Sequence, residues 1–410
     1  MKVALVSPYD WRHPGGVNSH LGVLARELRG HGHQVKILAP SNEPIDDPDV
    51  VTLGRPFPVA ASGSVARISL NPRLGRRVGE VLRQEQFDVV HVHEPLMPVL
   101  PIHVLRQSRA ANPDVVNVGT FHATRDGGNR LYSYSRRLLK RWYREIDGKI
   151  AVSPPAAQYV SRYFPGFYNI IPNGIDIEHW DDPAKTPLSE YQDATNILYV
   201  GRAEKRKGLG VLIRAFSIVN ARDPDTRLIV VGPDSRARRR FEQSVSNDKR
   251  RGIVFVQARD GGVPYDELPR YHASADIFCS PATGHESQGY VLLEAMAAGL
   301  PVVASNIDGY ASVITHEVDG LLVRPKDAMV LADALTALVR NPQRRAALAV
   351  EGRQRVEEYG WPRVAQQVIS YYERLLDTRG TVETSRRQRL DGRLDGHLDG
   401  RRGDPVGSAE

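Results

Sequence analysis

The sequence predicts an α/β protein in which two doubly wound domains face each other across a cleft. Three observations support this fold class. The chain has 410 residues, enough for two or three domains. Short apolar runs alternate with longer helical patterns, which is typical of parallel βαβ units. The same alternation begins again after a turn-rich segment at residues 172–193.

Each half of the chain supplies its own strands. A helical pattern near 17–31 follows the first strand, and another near 208–221 opens the second half. We expect one domain at 1–175 and a second at 176–361. Because ligands of open α/β sheets bind beyond the carboxyl ends of the strands, the cleft between the domains is the expected site. The apolar runs that predict strands are 3–6, 35–38, 89–92, 115–121, 149–152, 196–200, 227–231, 253–256, 277–280 and 301–304.

The last part of the chain is expected to leave the second domain. Apolar residues recur at helical spacing between 362 and 377, among them Val364 and Val368, so we expect a helix that crosses back onto the first domain. From 378 to 410, Gly, Arg and Asp dominate, and Leu-Asp-Gly occurs three times. This composition predicts a disordered tail.

The net charge of +7 is concentrated in the first half. Residues 1–175 hold 22 lysines and arginines against 14 aspartates and glutamates, which predicts an anionic partner. One basic run lies on a predicted amphipathic helix at 131–146, and this pattern fits either an anionic bilayer or an ordinary solvated surface. No nucleic-acid-binding motif is present, so nucleic acid is not an expected partner. The apolar face of the helix is expected to contain Leu131, Leu138, Trp142 and Ile146.

Cysteine content and hydropathy bear on location. The single cysteine, Cys279, cannot form a disulfide within the chain, which favours a reducing cytoplasm. The most apolar stretch, 291–304, contains Glu294 and Pro301 and is shorter than the roughly 20 residues of a membrane-spanning helix. We expect no membrane span.

Two features at the ends of predicted strands suit a phosphate-bearing ligand. Gly15 and Gly16 lie between the first strand and the first helix, where a helix N-terminus attracts phosphate, although an ordinary tight turn has the same pattern. Arg202 and Lys207 follow the first strand of the second half and can clamp a diphosphate, although surface charges would show the same spacing. The cations between them are expected to be solvated neighbours, Lys205 and Arg206.

A third motif supplies acceptors for hydroxyl groups. Glu286 is expected just before a helix, and Glu294 two turns inside it. Carboxylates accept hydrogen bonds from sugar hydroxyls, and the first N–H groups of a helix suit phosphate. We expect both kinds of group in one cleft.

Together these motifs resemble the signature of retaining GT-B glycosyltransferases of family four. The likeness spans about residues 1–376 and rests on Glu286-x7-Glu294, on the Glu-Ala-Met-Ala-Ala-Gly run that begins at Glu294, and on the glycine turn and cation pair. Motifs of the first half resemble the members that transfer mannose to phosphatidylinositol. These motifs are Pro8-Tyr9, Ser19-His20, 63–67, 91–95 and 120–122.

The resemblance implies a GT-B fold and individual roles. Arg202 and Lys207 would neutralise the donor diphosphate as the sugar leaves. Glu286 would bind hydroxyls of the transferred sugar, Glu294 would bind the ribose, and His122 would orient the donor at the reacting centre. The implied donor site consists of Gly15, Gly16, Arg202, Lys207, Glu286, Ser287, Gln288, Gly289, Tyr290 and Glu294. The residues implied to meet the inositol phospholipid or the bilayer are Tyr9, Asn18, Arg67, Arg73, Arg76 and Arg77.

The same resemblance implies substrates and a location. The donor would be GDP-mannose and the acceptor an inositol phospholipid, and the enzyme would work in the cytoplasm, associated peripherally with the inner face of the cell membrane. The donor phosphate would take the acceptor proton, so no enzyme nucleophile is required. We also expect no obligatory cofactor or divalent metal. His91, His93 and Glu94 mimic a metal-ligand set, but side chains alternate across a strand, so we interpret them as strand-end structure.

Three residues near the expected sugar pocket depart from the mannosyltransferase pattern, namely His285, Gln288 and Tyr290. They leave another nucleotide-sugar donor or another acceptor open within the family. A GT-B nucleotide-sugar epimerase is a further alternative, and it would need no acceptor. A nucleotide-sugar sensor is the third, and it would bind the donor without turnover.

Overall fold

The computed structural model describes residues 1–13, 15–61, 64–124, 130–244, 251–256 and 263–398. Its strands are β1 Lys2–Val6, β2 Gln34–Ala39, β3 Val50–Thr52, β4 Pro56–Ala61, β5 Ser64–Ser69, β6 Val89–His93, β7 Val116–Phe121, β8 Gly148–Ala151, β9 Asn169–Ile170, β10 Thr195–Val200, β11 Thr226–Val231, β12 Ile253–Phe255, β13 Ile277–Ser280, β14 Val302–Ser305 and β15 Leu321–Val323.

The helices alternate with these strands, as the sequence predicts. They are α1 Gly16–Gly30, α2 Gly75–Glu85, α3 Leu100–Ala111, α4 Arg130–Tyr143, α5 Pro154–Ser161, α6 Ile177–Trp180, α7 Leu209–Arg222, α8 Ser235–Ser244, α9 Leu268–Ala273, α10 Tyr290–Ala297, α11 Asp308–Ala311, α12 Ala328–Val339, α13 Pro342–Val356 and α14 Trp361–Leu398.

The first domain is built on a parallel sheet with the strand order β3-β2-β1-β6-β7-β8-β9. Its central strands read as continuous apolar runs because helices cover both faces. One face packs against α1 and α14, and the other packs against the layer formed by α2, α3, α4 and α5. The hairpin β4–β5 pairs apart from this sheet, and Tyr9 bridges to its Ile68.

The second domain has its own parallel sheet, ordered β12-β11-β10-β13-β14-β15. Helices α7 and α12 pack on one face, and α10 packs on the other. The predicted pair of doubly wound domains is therefore confirmed. The loops after the central strands β1 and β10 carry Gly15, Gly16, Arg202 and Lys207, and the loop after β13 together with α10 carries the other residues expected to bind the donor.

The chain passes between the domains twice, and the two passages lie side by side. The backbone N–H of Ile175 donates to the carbonyl oxygen of Tyr359 at 2.8 Å, and that of Trp361 donates to the carbonyl oxygen of Ile175 at 3.2 Å. Helix α14 then packs on the first domain, where Val364 and Val368 are buried. The predicted crossover is confirmed.

Two features of the helices differ from the sequence expectation. Helix α14 continues to Leu398, so the expectation of disorder from residue 378 is wrong as far as that residue, while 399–410 lie outside the described residues. Extending a helix costs less than starting one, and Arg, Glu, Gln and Leu are good helix formers.

The buried face of α4 consists of Tyr132, Leu139 and Tyr143, whereas Leu138 is exposed. The expectation is wrong for Leu138, because it left out the apolar surface of tyrosine rings, whereas Ile146 is buried as expected. The side chain of Leu131 lies outside the described ones. Trp142 is only partly buried against the same core. None of the described helices is long and apolar enough to cross a bilayer.

Candidate active site

The first wall of the cleft is the turn from β1 into α1. Gly15 precedes the helix with extended backbone, and Gly16 is its first residue. Among the described residues, no side chain caps this helix end, so its first N–H groups are left for a ligand. A side chain at Gly16 would approach Cε2 of Tyr290 in the second domain at 4.0 Å. The turn therefore lies opposite the second domain, as a donor site requires.

Asn18 does not face an acceptor. It is buried on α1, its Oδ1 accepts from the Ser7 hydroxyl at 2.7 Å, and its amide donates to the carbonyl oxygen of Asp10 at 2.7 Å. The expectation that this side chain meets the lipid or the bilayer is therefore wrong. Asn18 instead ties α1 to the loop that follows β1.

Three histidine rings line the first domain's side of the cleft. Nδ1 of His93 and Nε2 of His122 are 2.8 Å apart, and the His20 ring centroid lies 5.1 Å from that of His122. His20 also reaches the second domain, since its Nδ1 is 3.5 Å from the hydroxyl of Tyr290. Burial lowers the pKa of His122 to about 4. The ring of His122 is therefore neutral at pH 7 and can donate or accept a hydrogen bond.

The backbone beside His122 is held by a buried carboxylate. Oε1 of Glu94 accepts from the N–H groups of His122 and Ala123, at 2.8 Å each. Glu94 has positive φ, and burial raises its pKa. Burial raises the pKa of the Tyr9 phenol and the charge of Glu94 adds to the effect, which places Tyr9 at the same end of the sheet. Glu94 fixes His122, a role that the sequence did not reveal.

The same histidines are the described residues that can hold a metal ion. One nitrogen each of His20, His93 and His122 lies within 4.8 Å of the others. His91 and His93 lie on the same face of β6, with ring centroids 4.3 Å apart, so the expectation that strand alternation separates them is wrong. Residues two apart in a strand share a face. His91 is instead bonded to Thr120 and Tyr372, at 2.6 Å each.

The second wall of the cleft carries a chain of alternating charges. Arg202 contacts Glu204 at 2.9 Å, and Glu204 contacts Arg206 at 2.7 Å. Oε1 of Glu286 then pairs with both Arg206 and Lys207, at 2.7 Å each. The expectation that Arg206 is a solvated neighbour is wrong, because its guanidinium bridges two carboxylates. Lys205 is exposed, as expected.

Backbone geometry places these cations at the end of β10. Gly208 has φ +76° and ends the turn that carries Lys207. A side chain at Gly208 would lie 1.9 Å from the carbonyl oxygen of Pro281, so only glycine fits. The Arg202 side chain remains 63 % exposed, whereas that of Lys207 is 17 % exposed. Arg202 is therefore the cation with room to move onto a ligand.

The loop before α10 presents Glu286 to the cleft. His285 and Gly289, on either side of it, have φ +60° and +91°. Ser287 is partly buried, and Tyr290 is the first residue of α10. Gln288, however, has its side chain engaged by Asn173. Its Oε1 accepts from the backbone N–H and the side-chain amide of Asn173, at 2.9 and 2.7 Å.

Replacing Gln288 by alanine is expected to lower the free energy of unfolding by about 1 to 3 kcal/mol, because two buried donors of Asn173 lose their acceptor. Urea unfolding measures the change, and Ser287→Ala, a partly buried neighbour, is the control. A loss of unfolding free energy below about 0.5 kcal/mol would mean that the contact between Gln288 and Asn173 contributes little to stability.

Glu294 lies on α10 and, like Glu286, interacts with Lys207. Burial raises its pKa to about 7, and Lys207 acts in the opposite direction. The charge of Glu294 contributes to the raised pKa values of Tyr265 and Tyr290, so it lies among these phenols. Lys207 thus pairs with Glu286 and also lies near Glu294, which brings both predicted carboxylates to one place.

Glu294 makes the stability of the protein depend on pH. The folded state holds its proton up to about pH 7, while the unfolded state releases it near 4.5. The contribution of Glu294 to folding stability is therefore fully present below the unfolded-state pKa of 4.5, and it is lost as the pH rises through the folded-state pKa of about 7. We expect Glu294→Gln to gain stability relative to the wild type between pH 5 and 8, by at most about 3 kcal/mol. Urea unfolding across that range tests this, with exposed Glu351→Gln as control, and a pH-independent difference would contradict it.

The basic residues expected to meet lipid lie on the outer side of the first domain. Arg73 precedes α2 and is exposed, and on α2 the side chains of Arg76 and Arg77 are 90 % and 65 % exposed. Arg67 lies apart from them on β5, where its carbonyl oxygen accepts from the N–H of Asp10 at 2.9 Å. Arg67 is thus next to the loop of Tyr9, close to the cleft.

Each domain matches a known protein family. Residues 14–179 match the family Glycosyltransferase Family 4, and residues 182–355 match Glycosyl transferases group 1. The phosphatidyl-myo-inositol mannosyltransferase of Mycobacterium leprae is 34 % identical over 94 % of this chain and 100 % of its own. That of Mycolicibacterium smegmatis is 35 % identical over 91 % and 94 %. A glycogen synthase of Mycobacterium tuberculosis is 30 % identical over 91 % and 94 %.

Solved structures share the fold. A glycosyltransferase from Rickettsia africae has a TM-score of 0.73 at 18 % identity and covers 92 % of this chain and 98 % of its own. HepE from Anabaena, solved with UDP, has a TM-score of 0.71 at 19 % identity and covers 90 % and 99 %. The chain is therefore a GT-B glycosyltransferase of family four, related over most of its length to phosphatidyl-myo-inositol mannosyltransferases.

Proposed function

We propose that this glycosyltransferase moves mannose from GDP-mannose to the inositol headgroup of a phospholipid, with retention of the anomeric configuration. The observation that carries the proposal is the joining of Lys207 to Glu286 and its closeness to Glu294. A cation for a diphosphate thereby adjoins two acceptors for hydroxyl groups. The mycobacterial relatives named phosphatidyl-myo-inositol mannosyltransferases supply the choice of sugar and acceptor.

Departure of the diphosphate is the step that the cations assist. As the bond between the sugar C1 and the β-phosphate oxygen breaks, negative charge grows on the diphosphate. Lys207 and Arg202 lie on one side of it, and the N–H groups of the turn at Gly15 and Gly16 lie on the other. Preorganised charges of this kind stabilise a leaving group without reorganisation of solvent.

Attack occurs on the face that the diphosphate leaves. The inositol oxygen bonds to C1, and its proton passes to an oxygen of the departing phosphate. The scheme needs no carboxylate nucleophile, which suits Glu286, whose charge is already shared by Arg206 and Lys207. Glu286 instead accepts hydrogen bonds from sugar hydroxyls, and Glu294 accepts from the ribose.

His122 orients the donor at the reacting centre. Nε2 of His93 is buried and has no partner among the described residues, and an unpaired acceptor there costs less than an unpaired N–H. The arrangement that satisfies this has the N–H of His93 Nδ1 donating to His122 Nε2. Nδ1 of His122 then carries the proton and can donate a hydrogen bond to a sugar hydroxyl, in competition with the Asn173 side chain, which is bonded to the same ring.

The acceptor approaches from the first domain. Tyr9 and Arg67 lie together, and Tyr9 is also near Glu94, the residue that holds the backbone of His122. Their hydroxyl and guanidinium groups suit an inositol ring and its phosphate. The exposed residues Arg73, Arg76 and Arg77 suit the anionic headgroups of a membrane that the protein joins peripherally from the cytoplasm. Their charges attract the bilayer without any span across it.

A donor panel tests the proposal. The protein is incubated without metal with phosphatidylinositol vesicles and a series of GDP- and UDP-sugars, and lipids are analysed by mass spectrometry. We expect a mannosyl phosphatidylinositol from GDP-mannose alone. Transfer from a UDP-sugar, or to another acceptor, would place the enzyme elsewhere in the family. A changed donor without any acceptor would indicate an epimerase.

No divalent metal is proposed as obligatory, because the cations of the chain supply the charge. After dialysis of the protein, addition of excess EDTA is therefore expected to leave the rate of sugar transfer unchanged. The measurement is the rate with EDTA, compared with the rate after addition of Mg²⁺ or Mn²⁺. Complete loss of transfer in EDTA, restored by either ion, would contradict this and would indicate that His20, His93 and His122 bind a catalytic metal.

A further inference from the structure

We propose that Gln288 is a positioning residue for transfer, which from the second domain fixes the ring of His122 in the first domain through Asn173. The inference rests on the proposed function, in which His122 orients the donor. Gln288 departs from the mannosyltransferase pattern, so the resemblance does not imply this role. The contacts run from the loop before α10, through the linker between the domains, to the reacting centre.

Gln288 holds Asn173 at two points. Oε1 of Gln288 accepts from the backbone N–H of Asn173 at 2.9 Å and from its side-chain amide at 2.7 Å. Nε2 of Gln288 donates in return to the carbonyl oxygen of Asn173 at 3.4 Å. Gln288 is 2 % exposed and Asn173 is 4 % exposed, so water does not compete for these hydrogen bonds. A side chain of the second domain is thereby paired with the linker.

This pairing decides which way the Asn173 amide faces. Because Nδ2 is bonded to Gln288, Oδ1 lies on the other side of the amide group. That oxygen is buried and has no well-aligned donor among the described residues. Burial has the largest effect on the pKa of His122 and lowers it, whereas a side-chain hydrogen bond with Asn173 raises it. A hydrogen bond that raises the pKa comes from an acceptor, so Oδ1 is the atom that faces the ring.

The packing of the linker keeps Asn173 beside the histidines. A side chain at Gly174 would collide with the ring of Trp361, so the linker contacts the start of α14. The ring centroid of Trp361 lies 4.9 Å from that of His20, and the latter lies 5.1 Å from that of His122. Asn173 therefore lies between the second domain and the histidine group.

Two neighbours then agree on the position of the His122 proton. Nε2 of His122 faces Nδ1 of His93 at 2.8 Å and accepts from it, so the proton of His122 is on Nδ1. Nδ1 is also the nitrogen left to face Asn173, and an acceptor oxygen there favours the same tautomer. Because the bond to Asn173 is poorly aligned, it is weak, and the N–H remains able to meet a sugar hydroxyl.

Without an acceptor at residue 288, the Asn173 amide is free to turn. Its NH₂ group can then face His122, where it requires an acceptor nitrogen. The proton of His122 is expected to move to Nε2, with the bond to His93 reversed. His122 would then present a lone pair to the donor in place of an N–H.

Two substitutions separate this role from packing. Gln288→Met removes the acceptor at nearly constant volume, whereas Gln288→Glu retains an acceptor oxygen in either protonation state. We expect Gln288→Met to lower kcat about 10- to 100-fold, with KM for the donor within about 3-fold, and Gln288→Glu to recover most of the loss. Gln366→Met, the same change at an exposed position of α14, should leave kcat unchanged. Urea unfolding checks that each variant is folded under the assay conditions.

Nitrogen-15 NMR of the histidine-labelled protein provides a measurement that packing alone does not change. The signals of His122 are identified by their absence from His122→Gln, and the shifts of the two ring nitrogens show which one carries the proton. We expect the proton on Nδ1 in the wild type and in Gln288→Glu, and on Nε2 in Gln288→Met.

A wild-type His122 with its proton on Nε2 would overturn the proposal, even if Gln288→Met did not fold. An unchanged proton position in Gln288→Met would also overturn it, and so would equal losses of kcat in Gln288→Met and Gln288→Glu. Absence of transfer by the wild type would contradict the proposed function, whereas the NMR spectra would still decide the role of Gln288.

Discussion

Replacing Lys207 by alanine is expected to lower kcat about 100- to 1000-fold, and Arg202→Ala is expected to have an effect of the same order. Lys207 is held at 2.7 Å from Glu286, with only a small part of its side chain exposed. A cation fixed in that way stabilises charge on the leaving diphosphate more than charge on the bound donor. The loss should therefore appear in kcat more than in KM.

Lys205→Ala is the matched control for both substitutions. It removes a cation from the same short turn, yet Lys205 is exposed and takes no part in the ion pairs that link Arg202 to Lys207. Its kcat should stay close to that of the wild type. Near-wild-type rates in both Arg202→Ala and Lys207→Ala would remove these residues from the mechanism. Equal losses of kcat in all three variants would show that the net charge of the turn, and not the position of each cation, determines the rate.

Glu286→Gln is expected to lower kcat about 100-fold while GDP binds at least as tightly as before. The carboxylate pairs with Arg206 and Lys207, so its neutralisation leaves two cations without their shared partner. Those cations then attract a diphosphate more strongly. The transferred sugar, however, loses a charged acceptor for its hydroxyls, and the geometry of the reacting centre relaxes.

Glu204→Gln separates the two effects of that change. Glu204 lies in the same chain of ion pairs, between Arg202 and Arg206, so its neutralisation adds the same charge to the network. We expect tighter GDP binding but a kcat much closer to wild type. Steady-state rates and calorimetric titration with GDP measure both quantities. A kcat in Glu204→Gln as low as in Glu286→Gln would show that network charge, and not a sugar contact, explains the loss.

The fold follows from local patterns that the sequence displays directly. The strand Val89–His93 is rich in valine and buried at every position, because both faces of a parallel strand are covered. The restart of the alternation after 172–193 marks the second domain. The crossover of α14 was predicted from the helical spacing of Val364, Val368 and Tyr371 or Tyr372. Its extent was not, because the energy that continues a helix is spread over many weak propensities.

The residues of the site also divide into those that local sequence patterns predict and those that only long-range contacts identify. Glycines at a strand end and carboxylates around a helix start are local patterns, so Gly16, Glu286 and Glu294 were predicted. Long-range partners were not, since Gln288 meets Asn173 across 115 residues and Glu94 holds the N–H of His122 across 28. Arg206 could not be told from Lys205 by sequence, because only the position of Glu286 in space distinguishes them.

The most direct test of the proposed transfer is an NMR spectrum of the lipid product. The protein is given phosphatidylinositol and GDP-mannose labelled with carbon-13 at C1, without metal, and the coupling between C1 and its proton is measured in the purified lipid. We expect a single α-linked mannosyl inositol phospholipid, which reports donor, acceptor and retention together. A β-linked product would contradict retention, and label found only in free mannose or in an altered sugar nucleotide would contradict transfer to lipid.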